Sequence, residues 1–371
     1  MSEKKVDVLD ELMGYDPKNL SVFDEPTSSS QENLNVYRTR PKDSKSEDGI
    51  YRSRIRVLYN PYDLRNSIVK VVNYSIRDEH GFKIVPSALS VNDKSCPIFK
   101  AFSSMWWSSV DQEAKREFIK TEKVFDKSES NYVLIQVLED ANQPELEGRF
   151  MFYKLPRTIL EKMNAKMKPS AESKKTPIPM MDFLRGRALD LEVQPGPDDP
   201  KQPSRKTREI SYDLSEFDME TGVCPIIGVD KEPLFTDEEL ETITTYDKYY
   251  SKIMKTPATA TEQLAQLAAN PITQKMRTLM GKAVTYIKEN VGNVAEEMGY
   301  KEWDEETALR VKNYLTRVTA MNKPLTNMAN VDSQAGVAAS FEHASMDDNG
   351  QMIDPLFPQT SGDEDDDDLP F

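Results

Sequence analysis

From residue 50 the apolar positions of this chain fall into strict alternation. Tyr51, Ser53, Ile55, Val57 and Tyr59 take one side, and Arg52, Arg54 and Arg56 the other, which is the period of a strand with one basic face. Residues 67–76 and 81–86 read as two further strands. Over 98–121 the spacing becomes helical, with Phe99, Phe102, Trp106, Val110 and Phe118 roughly on one side. Residues 132–138 and 149–154 are strands again, joined by 139–148, whose Asp, Asn, Pro and Gly content marks a connection. A helix over 156–167 opens on a proline, and a strand follows over 188–193. Residues 194–204, with Pro195, Pro197, Pro200 and Pro203, read as a loop. This order suggests a small barrel with inserted helices.

The pattern changes at both ends. Beyond Thr236 it is helical to about Thr319, with helices expected over 237–254, 262–269, 273–298 and 305–318. From Met321 the chain is rich in Asn, Ser and Asp and is expected to be disordered. Near the start, Val6, Leu9, Leu12 and Met13 form a short amphipathic stretch, and polar residues 26–33 follow it as a linker. Two stretches of low apolar content thus flank the patterned middle.

Charge sharpens that division. The formal net charge is -15, which taken as a total argues against a polyanionic partner. Residues 331–371, however, hold eleven acidic residues and no Lys or Arg, and residues 1–32 hold eight acidic and three basic. The remainder, 33–330, is therefore near +1. Within it, 33–120 has sixteen basic against ten acidic residues, and 149–187 has ten against three. The core is locally basic and the ends are acidic.

Several function classes drop out. No run of about eighteen apolar residues exists and the N-terminus does not read as a signal peptide, so a membrane partner is not expected. The only histidines are His80, in an expected turn, and His343, in the expected tail, which is poor material for a catalytic triad. No phosphate-loop motif is present. Cys96 and Cys224 are too few for a disulfide framework or a thiol-rich zinc site. Carboxylates such as Glu145 and Glu147 leave a two-metal nuclease as a distant reading, because the densest acidic run, 363–368, lies in the expected tail. The expectation is a protein that is not an enzyme.

What remains is the pattern of cations and rings. Arg52, Arg54 and Arg56 at alternate positions suit tracking along a phosphate backbone, or are simply a solvated strand face. Tyr132, Phe152 and Tyr153 lie on strands bordering the basic stretch that holds Arg149, Lys154 and Arg157. Rings beside positive charge are what unpaired bases stack upon; the competing role for each is core packing. Trp106 is a further candidate, although adjacent tryptophans on a helix cannot both face inward. The chain ends in Asp365, Asp366, Asp367, Asp368, Leu369, Pro370 and Phe371. An acidic run closing on an apolar anchor and a free carboxylate suits capture by a basic pocket on a partner protein, and it resembles the tip of bacterial single-stranded DNA-binding proteins.

A longer resemblance runs from about Tyr51 to Phe217. Arg54-Ile55-Arg56-Val57-Leu58, Ser95-Cys96-Pro97, the stretch Glu139-Asp140-Ala141-Asn142-Gln143-Pro144-Glu145-Leu146-Glu147-Gly148-Arg149, Phe152-Tyr153-Lys154, Lys162-Met163-Asn164-Ala165 and Tyr212-Asp213-Leu214-Ser215-Glu216-Phe217 occur in one order. Together they are similar to the helix-destabilising, single-stranded DNA-binding proteins of T-even bacteriophages. The resemblance implies an α+β chain with an OB-fold-like β-barrel core, carrying Arg56 on the basic strand and Tyr132, Tyr153 and Tyr212 in the cleft. It also implies sequence-independent binding of single-stranded DNA in replication, recombination and repair, in the cytoplasm of an infected bacterial host, with the tip recruiting partner proteins.

Two departures qualify it. The family binds zinc through one histidine and three cysteines, whereas here only Cys96 is matched, Phe99 stands where the next cysteine would follow and Tyr74 takes the histidine position. No cofactor is therefore expected, with packing around Phe99, Phe102 and Trp106 in its place. The family's basic N-terminal motif, which drives cooperative binding, is reduced to Lys4-Lys5 before Asp7, Asp10 and Glu11. The expected organisation is an arm and linker over 1–35, the DNA-binding core over 36–235, a helical region over 236–320 suited to packing on the barrel or to self-association, and a disordered acidic tail over 321–371. An acidic interaction or assembly protein that never touches DNA is the alternative.

Overall fold

The computed structural model describes residues 35–332, apart from 79, 171–174, 176, 197, 200–201, 207–209 and 221, and without the side chains of 198–199, 202–206 and 324–332. In chain order these residues form strands β1 (Val36–Tyr37), β2 (Tyr51–Leu58), β3 (Ile68–Asp78) and β4 (Gly81–Pro86), then helices α1 (Pro97–Trp106) and α2 (Gln112–Glu122). Next come β5 (Asp126–Glu139), β6 (Phe150–Lys154), α3 (Arg157–Met167), β7 (Ala188–Pro195), β8 (Asp198–Asp199), β9 (Gln202–Lys206), β10 (Ile210–Ser211) and β11 (Glu216–Phe217). Helices α4 (Asp237–Met254), α5 (Ala260–Ala269), α6 (Pro271–Asn290), α7 (Val294–Met298) and α8 (Glu305–Asp332) complete the chain.

The long strand β5 is the spine. Along one edge it pairs antiparallel first with β3, from Ser75↔Asp126 to Ile68↔Val133, and then with β2, from Leu58↔Leu134 to Arg54↔Glu139, so β2 and β3 lie end to end. Its other edge pairs with β6, and β1 adds to β6 in parallel. Strand β7 continues the sheet beyond β2 and carries β10 and β11, while β4 pairs with β3. Among the described residues these ladders form a branched path without a closing pair.

Both faces of the central strands are covered, which is why Val133 to Val137 are all buried. One face holds Tyr51, Ile55, Val57, Val133, Ile135, Val137, Tyr153 and Leu191 against Ile159 and Met163 of α3. The opposite face holds Leu58, Leu134, Phe150 and Phe152 against Phe183, Leu184 and the α6 residues Met276, Leu279, Ala283 and Ile287. A third cluster joins the β3–β4 hairpin (Tyr74, Ile76, Val85) and α1 (Ile98, Phe102, Met105) to Val311, Tyr314 and Val318 of α8.

Four expectations change. The single helix over 98–121 is two, because the Asp111 side chain accepts from the Glu113 and Ala114 amides and starts α2 afresh, while Lys115 Nζ donates to the Trp106 and Ser108 carbonyls and closes α1. The helix over 273–298 breaks at Val291, where Asn293 caps the separate α7. The proline-rich loop contains the antiparallel β8–β9 pair. Helix α8 continues past Val318 and Met321 to Asp332. The expected arm (Val6, Leu9, Leu12, Met13) and the tip (Asp365 to Phe371) lie outside the described residues.

Candidate nucleic-acid interface

The alternating arginines do not share one exposed face. Antiparallel pairing sets Arg52 opposite Glu192, Arg54 opposite Asp190 and Arg56 opposite Ala188. Arg52 is ion-paired with Asp48 at 2.7 Å and Glu192 at 3.4 Å. Its guanidinium holds the Asp48 carboxyl well below the usual range. Arg54 pairs with Asp190 at 2.9 Å and also with Asp218. These two charges are locally neutralised. Arg56 is not on a solvent face at all: it is 0% exposed and donates to the carbonyls of Cys224 (2.6 Å), Met180 (2.9 Å), Val57 (3.2 Å) and Asp182. Burial brings its pKa down to about 10. The matching signal was present in β7, where Asp190 and Glu192 alternate with the same period of two.

Most of the candidate rings are core. Tyr153 packs against Tyr37, with ring centroids 6.0 Å apart, and Tyr212 belongs to the same buried cluster. Trp106 is buried, stacked on Phe102 at 6.3 Å and 14°, with Lys115 Nζ 5.7 Å from its centroid. Of the adjacent pair it is Trp107, at the end of α1, that turns outward with 61% exposure. Tyr132 is half-buried and opposite Lys154 across the β5–β6 ladder. Alternation places these two on the α6 and α7 side of the sheet, away from Tyr153. Arg149 and Arg157 are both exposed but stand at opposite ends of β6, and Arg157 pairs with Glu161 at 2.8 Å.

A group that patterning missed is the β1–β2 connection. Arg38, Lys42 and Lys45 are exposed and Arg40 half-buried, and among the described residues none of the four makes an ion pair. Arg38 directly follows the Tyr37↔Tyr153 pair, as Lys154 does on β6. The connection is held by the stretch Glu139–Arg149. Asp140, buried, accepts from the hydroxyls of Tyr37 (2.6 Å) and Tyr51 (2.5 Å) and from the amides of Asn142 and Gln143. Burial pushes both phenol pKa values up, and the carboxylate adds to this. Gln143 Nε2 then donates to the Arg38 carbonyl at 3.0 Å, and Asn142 Oδ1 accepts from the Lys45 amide at 2.8 Å. Gly148 completes the turn at φ +84°, where a β-carbon would meet the Gly228 carbonyl at 2.9 Å.

The positions that the resemblance assigns to zinc lie in an apolar cluster. Tyr74 and Cys96 are buried and Phe99 packs against the same apolar cluster, together with Val311, Tyr314 and Val318 from α8. Among the described residues no group of three or more His, Cys, Asp or Glu side chains could hold an ion, and no helix is long and apolar enough to cross a membrane.

No curated protein matches the chain. The family profile described as gp32 DNA binding protein like matches residues 51–249. That span opens at β2, includes the Asp140 hub and the β5–β6 ladder, and runs on into α4, beyond the segment whose motifs carry the resemblance. Covering more than half of the 371 residues, the match shows that this chain belongs to the gp32-like family of DNA-binding proteins.

Proposed function

We propose that the protein binds single-stranded DNA without sequence preference, by contact and not by catalysis. The observation that carries this reading is the family match itself, and within its span the stretch Glu139–Arg149 holds an exposed cationic connection in place. In this reading Arg38, Lys42, Lys45, Lys154 and Arg157 meet phosphates while Trp107 and Tyr132 receive bases; duplex is disfavoured because paired bases hide their faces. A spine strand shared between β2 and β3, with α3 against one face, supports kinship with an OB-type barrel. We place its action in DNA replication, recombination and repair in the cytoplasm of an infected bacterium, without zinc, with the Leu369-Pro370-Phe371 tip recruiting partner proteins.

Fluorescence anisotropy of a labelled oligo-dT against the matching duplex tests this. With about five phosphates neutralised, log affinity should fall against log salt with a slope of roughly -3.5. Trp107→Ala should weaken single-strand binding about tenfold, the worth of one stacked base, whereas Tyr153→Ala should lower stability. Equal affinity for the duplex, or a Trp107 variant that binds normally, removes this site. The ion pairing of Arg52 and Arg54 favours the second reading, an acidic assembly protein without DNA contact; absence of oligo-dT binding at low salt would select it. Deleting residues 361–371 should raise affinity at low salt, since a tethered acidic tail competes for the same cations. An unchanged affinity would rule out that competition.

A further inference from the structure

The face of the sheet that carries Tyr132 is crossed by α7. At one end of the crossing, Asn60 Nδ2 donates to Asn293 Oδ1 at 3.0 Å, tying the segment to the β2–β3 corner. At the other, Asn35 Nδ2 donates to Glu297 Oε2 over a long 3.4 Å, at the start of β1. Between these ties α7 packs on β3 and β5, with Val294 buried. The crossing therefore passes over the strands whose register sets Val69, Tyr132 and Lys154 side by side.

The segment is short, acidic and bounded by glycines. Glu296 is exposed and Glu297 half-buried. Gly292 and Gly299 flank it at places where a β-carbon would collide with Glu297 Oε1 and the Ala295 carbonyl, respectively. Its approach from α6 is pinned by Tyr62, whose hydroxyl donates to the carbonyls of Lys288 (3.2 Å) and Val291 (3.0 Å), with Lys288 Nζ 5.0 Å from the ring centroid. Tyr62 is itself 42% exposed.

We propose that residues 292–299 are an acidic lid over the Tyr132–Lys154 row, displaced when a nucleic-acid strand binds. Resting on the single-strand reading above, it assigns Glu296 and Glu297 the role of carboxylates holding a place that phosphates take. Lifting the lid uncovers Tyr132 and Lys154, while Tyr62, bonded to Lys288 and Val291 just before the lid, stays in place at its base. A lid that is mostly closed lowers the apparent affinity by the fraction of molecules that are open.

The test compares the full chain with the Glu296→Gln, Glu297→Gln double variant and with a control, Glu302→Gln, Glu305→Gln, which removes the same charge from exposed positions outside the lid. At low salt the lid variant should bind oligo-dT about fivefold more tightly than the control does. In hydrogen–deuterium exchange, the amides of 291–299 should lose protection when oligo-dT saturates the unaltered protein. Equal affinities for lid and control variants, or protection that stays or rises on binding, would overturn the lid while leaving single-strand binding intact. Failure of the unaltered protein to bind oligo-dT overturns the functional reading and the lid with it.

Discussion

Arg56→Ala should lower the unfolding free energy by about 3–5 kcal/mol, enough to unfold a marginally stable domain. Removing the guanidinium strands the Cys224, Val57, Met180 and Asp182 carbonyls that it now satisfies, and opens a cavity against Gly186, whose missing side chain leaves room for Arg56. Lysine should rescue little, since one ammonium cannot reproduce a planar fork directed at several carbonyls. Arg52→Ala, by contrast, breaks only solvent-screened surface pairs and should leave the midpoint nearly unchanged. Urea unfolding of the two variants distinguishes a buried strut from a DNA contact: a loss of DNA affinity at an unchanged midpoint for Arg56→Ala would contradict the assignment.

The second large effect is expected at α8. Tyr314 is buried in the cluster around the β3–β4 hairpin, and its hydroxyl accepts from the Phe125 amide at 2.8 Å. Tyr314→Ala should cost about 3–5 kcal/mol through the cavity it leaves, and Tyr314→Phe about 1 kcal/mol through the hydrogen bond alone. Trp303 Nε1, just before α8, donating to the Pro86 carbonyl at 2.6 Å, and Arg310 of α8 meeting both oxygens of Asp78 at 2.7 and 2.8 Å, fasten the helix and its approach. Arg310 holds the Asp78 carboxyl below its ordinary range. A depressed carboxylate contributes stability that is fully present above its unfolded pKa and is lost as pH falls through the folded one. Docking of α8 should therefore weaken in acid, and Asp78→Asn should flatten that dependence in a pH series of thermal melts. A steeper dependence in the variant would contradict this.

How far the sequence could be read follows from where the information is local. Strand β4 and helix α4 were legible because their limits are written in adjacent residues: Thr236 and Glu239 form a capping box at the start of α4. The Glu139–Arg149 connection was legible as a turn, but the reason for its composition was not, because Asp140 answers to Tyr37 and Tyr51, about a hundred residues upstream. Period two revealed a strand at Arg52–Arg56 without revealing what covers it, since Glu192, Asp190 and the 180–187 segment that buries Arg56 come from elsewhere in the chain. Tyr153 and Tyr132 looked equivalent because both lie on strands bordering the basic stretch; opposite pleats sent one into the core and left the other under α7. Of the adjacent tryptophans, helix geometry required one to point outward, and only the end of α1 decided which.

The closure of the β3–β4 hairpin cluster by α8 also sets an order of events during synthesis. Tyr74, Ile76, Val85 and Phe125 are made long before Val311, Tyr314 and Val318, which complete their packing. At ribosomal rates of about 5–20 residues per second, roughly ten to forty seconds separate the two. For that interval the nascent chain carries an apolar hairpin face without its cover, next to β4, whose only pairing among the described residues is with β3. Such a surface is where a chaperone would engage the chain or neighbouring nascent copies would aggregate, and the emergence of a single late helix ends that exposure.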